Sequence, residues 1–124
     1  MRSAILTFRE KIKLYNNLKS MTKQINTDKN LTVHKEYANQ LETLLTEKLV
    51  RFEDYLTRLE IHLSDENGNK DALNDKKCLL EARLKGRQPI VTSALGNTYD
   101  QAIKGAIDKI KVSLDTIIGK LRNH

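Results

Sequence analysis

Between Leu56 and Leu84 the chain alternates. Leu59, Ile61 and Leu63 fall on one side of an extended backbone, and Arg58, Glu60 and His62 fall on the other. Cys78, Leu80, Ala82 and Leu84 repeat the alternation against Leu79, Glu81, Arg83 and Lys85. A period of two marks a strand with one buried face. Two such strands, joined by the polar connection Ser64 to Lys77, predict a hairpin whose dry side must be covered by the flanking segments.

Those segments change period. Lys23 to Thr27 reads as a short strand around Ile25, followed by a turn at Asp28, Lys29 and Asn30. From Thr32 to Tyr55, the residues Tyr37, Leu41, Leu44, Leu45, Leu49 and Phe52 recur at helical spacing, with Thr32 as the N-cap. Gly86 ends the third strand and Pro89 opens a fourth, Gln88 to Ala94, since proline is tolerated where a strand begins. Thr98 and Gln101 form a capping box at the start of the last helix, which runs with Ala102, Ile103, Ala106, Ile107, Ile110, Leu114, Ile117, Ile118 and Leu121 on one face. Alanines at 102 and 106 permit close approach to a neighbour, whereas Gly105 and Gly119 have no explanation in the pattern. The order β-α-β-β-β-α predicts an α+β, two-layer sandwich: a four-stranded sheet with two helices packed on one face. The first two strands, joined through a helix, are expected to be parallel with a right-handed crossover, and the other neighbours antiparallel.

The 124 residues, 39% of them hydrophobic, suffice for one core. No apolar run approaches the length of about eighteen residues that spans a bilayer, and no secretory signal is present, so a cytoplasmic location and no membrane partner are expected. The single cysteine, Cys78, lies on the inward side of a strand and reads as a small core residue. Charge is unevenly placed. Residues 1–20 carry +4 of the formal +6, leaving the other 104 residues with 17 positive and 15 negative side chains. Ile5, Phe8, Ile12 and Tyr15 make that basic stretch weakly amphipathic. It reads as a membrane-surface or targeting helix, an RNA-binding arm, or an extension upstream of the true start at Met21, ahead of a domain at 21–124.

Catalytic patterns are missing. There is no phosphate-cradling glycine loop, zinc spacing or nucleophile elbow, and His34, His62 and His124 are scattered. The acidic connection fails the calcium-loop test: with Asp65, Asn67 and Asn69 as first ligands, the glycine and the bidentate glutamate would fall at Lys70 and Lys76. Glu60 and Glu81 are placed to face each other on the outer surface of the sheet, but Arg58, Arg83 and Lys85 stand beside them, which suggests cross-strand charge pairing instead of an acid and base pair. No enzyme, cofactor, metal or small-molecule substrate is expected. What remains is basic residues on solvated faces: Lys48, Arg51 and Arg58 near the first helix's end, Arg83, Lys85 and Arg87 along the third strand, and Lys104, Lys109 and Lys111 on the last helix.

The segments TEKLVRF (46–52), LTRLEIHL (56–63), CLLEARLKGRQPI (78–90) and NTYDQAIKGAIDKIKVSL (97–114), in this order, resemble the short ribosome hibernation promoting factors, the family of ribosome-associated inhibitor A and sigma-54 modulation proteins. The resemblance covers about residues 22–122. It implies a β-α-β-β-β-α domain that binds 16S ribosomal RNA in the decoding channel of the small ribosomal subunit and blocks messenger and transfer RNA during stationary phase or stress. By position, Lys48 and Arg51 match the family's basic helix end and Lys109 matches its D-K-L lysine. With Lys111, Arg58 and Lys104 they form the expected RNA-binding set. The sequence departs from the family after Lys109: Lys111, Val112 and Ser113 replace E-R-Q, and only Lys120 and Arg122 follow, so the ribosome-dimerising function of the long forms is not expected. The alternative is a stress-response protein-interaction module that kept the fold and lost the ribosome.

Overall fold

A computed structural model describes residues 7–9, 22–27, 35–66 and 75–122. The alternating hairpin forms the middle of a four-stranded sheet. Strand β2 (Leu56–Asp65) pairs antiparallel with β3 (Lys76–Leu84), β4 (Ile90–Gly96) runs antiparallel to β3, and β1 (Thr22–Thr27) runs parallel to β2, giving the order β1-β2-β3-β4. Leu59 faces Ala82, Ile61 faces Leu80 and Leu63 faces Cys78 across the central rungs, so the apolar halves of both alternations share one side and all six are buried. Burial pushes the Cys78 thiol up to about 12, which leaves it an inert core side chain.

Two helices cover that side. Helix α1 (Lys35–Lys48) and the short 3₁₀ helix after it supply Leu41, Leu45, Leu49 and Phe52 to the core. Helix α2 (Tyr99–Arg122) supplies Ala102, Ile103, Ala106, Ile107, Ile110, Leu114 and Ile118. Each large aliphatic side chain among them contributes roughly 1.5–3 kcal/mol of burial. The result is the predicted α+β sandwich with both helices on one face.

The boundaries differ from the sequence reading in three places. The first helix ends at Lys48, not Tyr55, and Val50–Phe52 is 3₁₀. Bonds from Phe52 N–H to Leu49 O (3.1 Å) and from Glu53 N–H to Val50 O (3.2 Å) tighten the spiral, and a three-residue turn also aims Leu49 and Phe52 inward. The apolar spacing is therefore blind to the change of helix type. The hairpin strands run further than expected, because Ser64 pairs with Lys77 and Asp65 with Lys76. The Lys76 ammonium lies 2.9 Å from Asp65 and 3.0 Å from the buried Asp75, and those hydrogen bonds hold it protonated well above the usual lysine range. The fourth strand starts at Ile90, directly after Pro89, which has no N–H to give the ladder.

The capping box forms with a shift. Thr98 Oγ1 accepts the Gln101 N–H at 3.1 Å, but Gln101 Oε1 accepts the N–H of Asn97, one residue upstream of the cap, at 3.0 Å. Gly105 acquires a reason: a Cβ there would lie 2.8 Å from the Ala94 Cβ, so α2 rides on β4 at a distance only glycine allows. Thr92 Oγ1 donates to the Ala106 carbonyl at 2.9 Å in the same contact. At Gly119 a Cβ would meet nothing within 4 Å, and nothing in the structure explains that glycine.

Several expectations lie outside the described residues: the Thr32 cap, the turn at Asp28 to Asn30, His34, His124, the connection's centre at 67–74, and most of residues 1–20. Of that stretch Thr7 to Arg9 are described, with Phe8 exposed. Among the described residues no helix is long and apolar enough to cross a membrane.

Candidate nucleic-acid interface

Two contacts fix how the helices lie. The Tyr37 hydroxyl, near the start of α1, donates to Asp100 Oδ1 near the start of α2 at 3.0 Å. Just past the end of α1, an Arg51 NH2 group donates to Asp115 Oδ2 at 2.7 Å. Both partners advance in the same sense, so the helices run parallel and share a seam. Burial and the bond to Asp100 raise the Tyr37 phenol above its ordinary range, keeping it a donor at this end of the seam.

Spacing then places two lysines on that seam. Eleven residues complete just over three turns of an α-helix. Lys48 lies eleven after Tyr37, and Lys111 lies eleven after Asp100, so each returns to the face its helix turns toward the other. Lys48 is exposed and Lys111 half-buried. Neither has a hydrogen-bond or ion-pair partner among the described residues. Lys48 also sits in the last turn of α1, where the helix dipole favours a cation. Arg51 lies beside them, its guanidinium 4.6 Å from the centre of the buried Phe52 ring. Lys104, two turns before Lys111, is exposed and pairs at 3.2 Å with Asp108 on its own helix, a weak exposed contact.

The other two residues of the expected set stand elsewhere. Arg58 is on the open face of the sheet, where its Nε donates to Glu60 Oε1 at 2.6 Å and an NH2 group donates to Gln24 Oε1. Gln24 donates to Asn26 Oδ1 (2.9 Å), Asn26 Nδ2 lies 3.3 Å from His62 Nε2, and that nitrogen is 3.7 Å from Glu60 Oε2, which closes a ring. The bond from Arg58 holds the Glu60 carboxyl below its usual range. The expected cross-strand charge pairing is not what forms. The register sets Arg58 against Arg83 and Glu60 against Glu81, so each arginine turns along its own strand to the glutamate two residues away. Lys109 crosses from α2 to β4 and donates to the Ser93 carbonyl at 2.6 Å, covering a sheet edge with a lysine.

The tertiary structure adds cations outside the expected six. The Lys85 N–H donates to the Tyr55 carbonyl at 3.2 Å, drawing the turn at Lys85, Gly86 and Arg87 toward the chain that follows Arg51. Gly86 takes the positive φ of 67° that this turn requires, and Lys85 and Arg87 are exposed. A basic-Gly-basic turn between two strands is visible in sequence, but its hydrogen bond to Tyr55 is not. Asp115 was the residue with no sequence signal; only the packing of the helices brings it to Arg51.

Among the described residues no group of three histidine, cysteine, aspartate or glutamate side chains is placed to hold a metal. The seam, in contrast, offers cations of the two kinds that bind phosphate oxygens, point-charge ammonium and planar guanidinium.

The sequence model of the family described as sigma 54 modulation protein / S30EA ribosomal protein matches residues 25–122. The fold is similar to that of a ribosomal subunit interface protein from Coxiella burnetii (15% identity, TM-score 0.62, covering 80% of this chain and 99% of that one). It is also similar to the Protein Y N-terminal domain of Thermus thermophilus (17% identity, TM-score 0.56, covering 79% and 98%). At these identities the likeness is one of fold. No curated protein matches the chain.

Proposed function

The chain belongs to the sigma 54 modulation protein / S30EA ribosomal protein family, and from that premise we propose that it is a ribosome-associated inhibitor of translation. In this reading it acts without catalysis in the cytoplasm. It binds 16S ribosomal RNA in the decoding channel of the small subunit and excludes messenger and transfer RNA during stationary phase or stress. The observation that carries the reading is the inter-helix seam, where Lys48, Lys111 and Arg51 gather over a rigid core. Three cations on the facing sides of two fixed helices offer a phosphate chain several contacts at once, which their scattered sequence positions do not suggest. Phosphate contacts then supply affinity, and the shape of the sandwich supplies location.

Co-sedimentation with purified small subunits across a salt series tests this. The wild-type chain is expected to bind at low salt and to weaken steeply as salt rises. The triple variant K48A/R51A/K111A should flatten the log–log salt slope by roughly two to three. R58Q, on the far side of the sheet, should leave the slope unchanged. Failure of the wild-type chain to co-sediment at low salt overturns the proposal, and recovery from stationary cells of a protein partner without ribosomal RNA would favour the protein-interaction module instead.

A further inference from the structure

Resting on the reading that the seam takes phosphate, we propose that Asp115 is a built-in competitor for Arg51 that sets how tightly the seam holds RNA. The Arg51 NH2 group is 2.7 Å from Asp115 Oδ2, and the side chains are 56% and 51% exposed, so the pair is open to exchange with a ligand. Arg51 does not depend on the acid for its place. Its guanidinium rests on the Phe52 ring, which is only 3% exposed and locked in the core, so the cation stays at the seam when the carboxylate lets go.

A carboxylate and a phosphate present the same kind of oxygen to a guanidinium. An incoming phosphate must therefore displace Asp115 and then sit beside its charge. Asp115 is also one helical turn beyond Lys111 on the same face, so it opposes that lysine as well. Of the other acids on this side of α2, Asp100 accepts the Tyr37 hydroxyl at 3.0 Å and Asp108 is already taken by Lys104 at 3.2 Å. Asp115 is thus the acid whose removal frees a seam cation outright, and the seam as built binds more weakly than its cations permit.

The test is a double-mutant cycle on the full chain. Fluorescence anisotropy measures binding of a labelled single-stranded oligouridylate at low salt to wild type, D115N, R51Q and R51Q/D115N. D115N is expected to tighten binding by about two- to fivefold, the range an exposed ion pair can withhold, and to steepen the salt slope by about 0.7, one more phosphate contact on a single strand. The gain should vanish in the R51Q background. An equal gain in both backgrounds overturns the proposal, since Asp115 would then act only through overall charge. Weaker binding by D115N overturns it too, because Asp115 would then position Arg51, and so does absence of binding by both wild type and D115N. Small-subunit co-sedimentation of the same proteins separates this proposal from the one it rests on. A coupled gain on the oligonucleotide without co-sedimentation sinks the ribosome reading and keeps the role of Asp115. Co-sedimentation without coupling does the reverse.

Discussion

The two outer surfaces of the sandwich treat charge in opposite ways. On the open sheet face, Arg58 is held by Glu60 and Gln24, and Asn26 and His62 close the ring, so an arginine that looks available in sequence is already occupied. On the helix face, Lys48 and Lys111 lie on the sides their helices turn toward each other and have no hydrogen-bond or ion-pair partner among the described residues. The difference follows from periodicity. Along a strand, residues i and i+2 share a face, so the sequence Arg58-Leu59-Glu60 brings acid and base together locally. Across two parallel helices, what meets is set by packing, and here it brings Arg51 to Asp115 and leaves Lys48 and Lys111 without a partner among the described residues. A count of cations is therefore a poor guide to a phosphate-binding surface; the partners they already have decide it.

The largest effect should come from removing the wall that keeps the two surfaces apart. Leu80 is fully buried at the centre of the sheet, and Leu80→Ala should cost about 2–5 kcal/mol. Urea unfolding measures the loss, and both surfaces should fail together as the midpoint is crossed. A smaller change sharpens the comparison on the helix side alone. Gly105→Ala should destabilise by about 1–3 kcal/mol through overpacking against Ala94, despite alanine's better helix propensity, and Ala94→Gly in the same chain should restore most of the loss. Equal stability of Gly105→Ala and wild type would show that α2 does not ride on β4 this closely.

The smallest effect isolates the sheet face. The Glu60 carboxyl titrates below its usual 4.5 because Arg58 donates to its charged form. A carboxyl depressed by folding contributes stability that is present above its unfolded value and is lost as pH falls through the folded one. R58Q should therefore be slightly less stable than wild type near neutral pH, and the two should converge as pH falls through the depressed value of the Glu60 carboxyl, below its usual 4.5. Urea midpoints measured from pH 7 to pH 3 check this, and a constant gap over that range would remove the Arg58 to Glu60 bond from the account.

Most of the architecture was legible in the chain, because burial writes its period into sequence. The alternation at 59, 61, 63 and 78, 80, 82 fixed the hairpin and its dry face, and the 3.6-residue recurrence in 99–121 fixed the long helix with its Thr98 and Gln101 cap. The switch to 3₁₀ at Val50 left no trace, since Leu49 and Phe52 point inward under either helix type. The extra rungs at Ser64 and Asp65 were hidden by polar residues that pair through backbone and through Lys76.

The candidate interface was legible only as a set of residues. Local sequence determined that Lys48, Arg51, Lys104 and Lys111 stand on solvated sides of helices, because solvation of a charge is settled within a turn. It did not determine that Tyr37 would meet Asp100 or that Arg51 would meet Asp115, and so could not say that Lys48 and Lys111 would share a seam. Those encounters join residues more than sixty positions apart. They depend on the direction and spacing of two helices laid on a common sheet, a property of the packed core that no single segment carries.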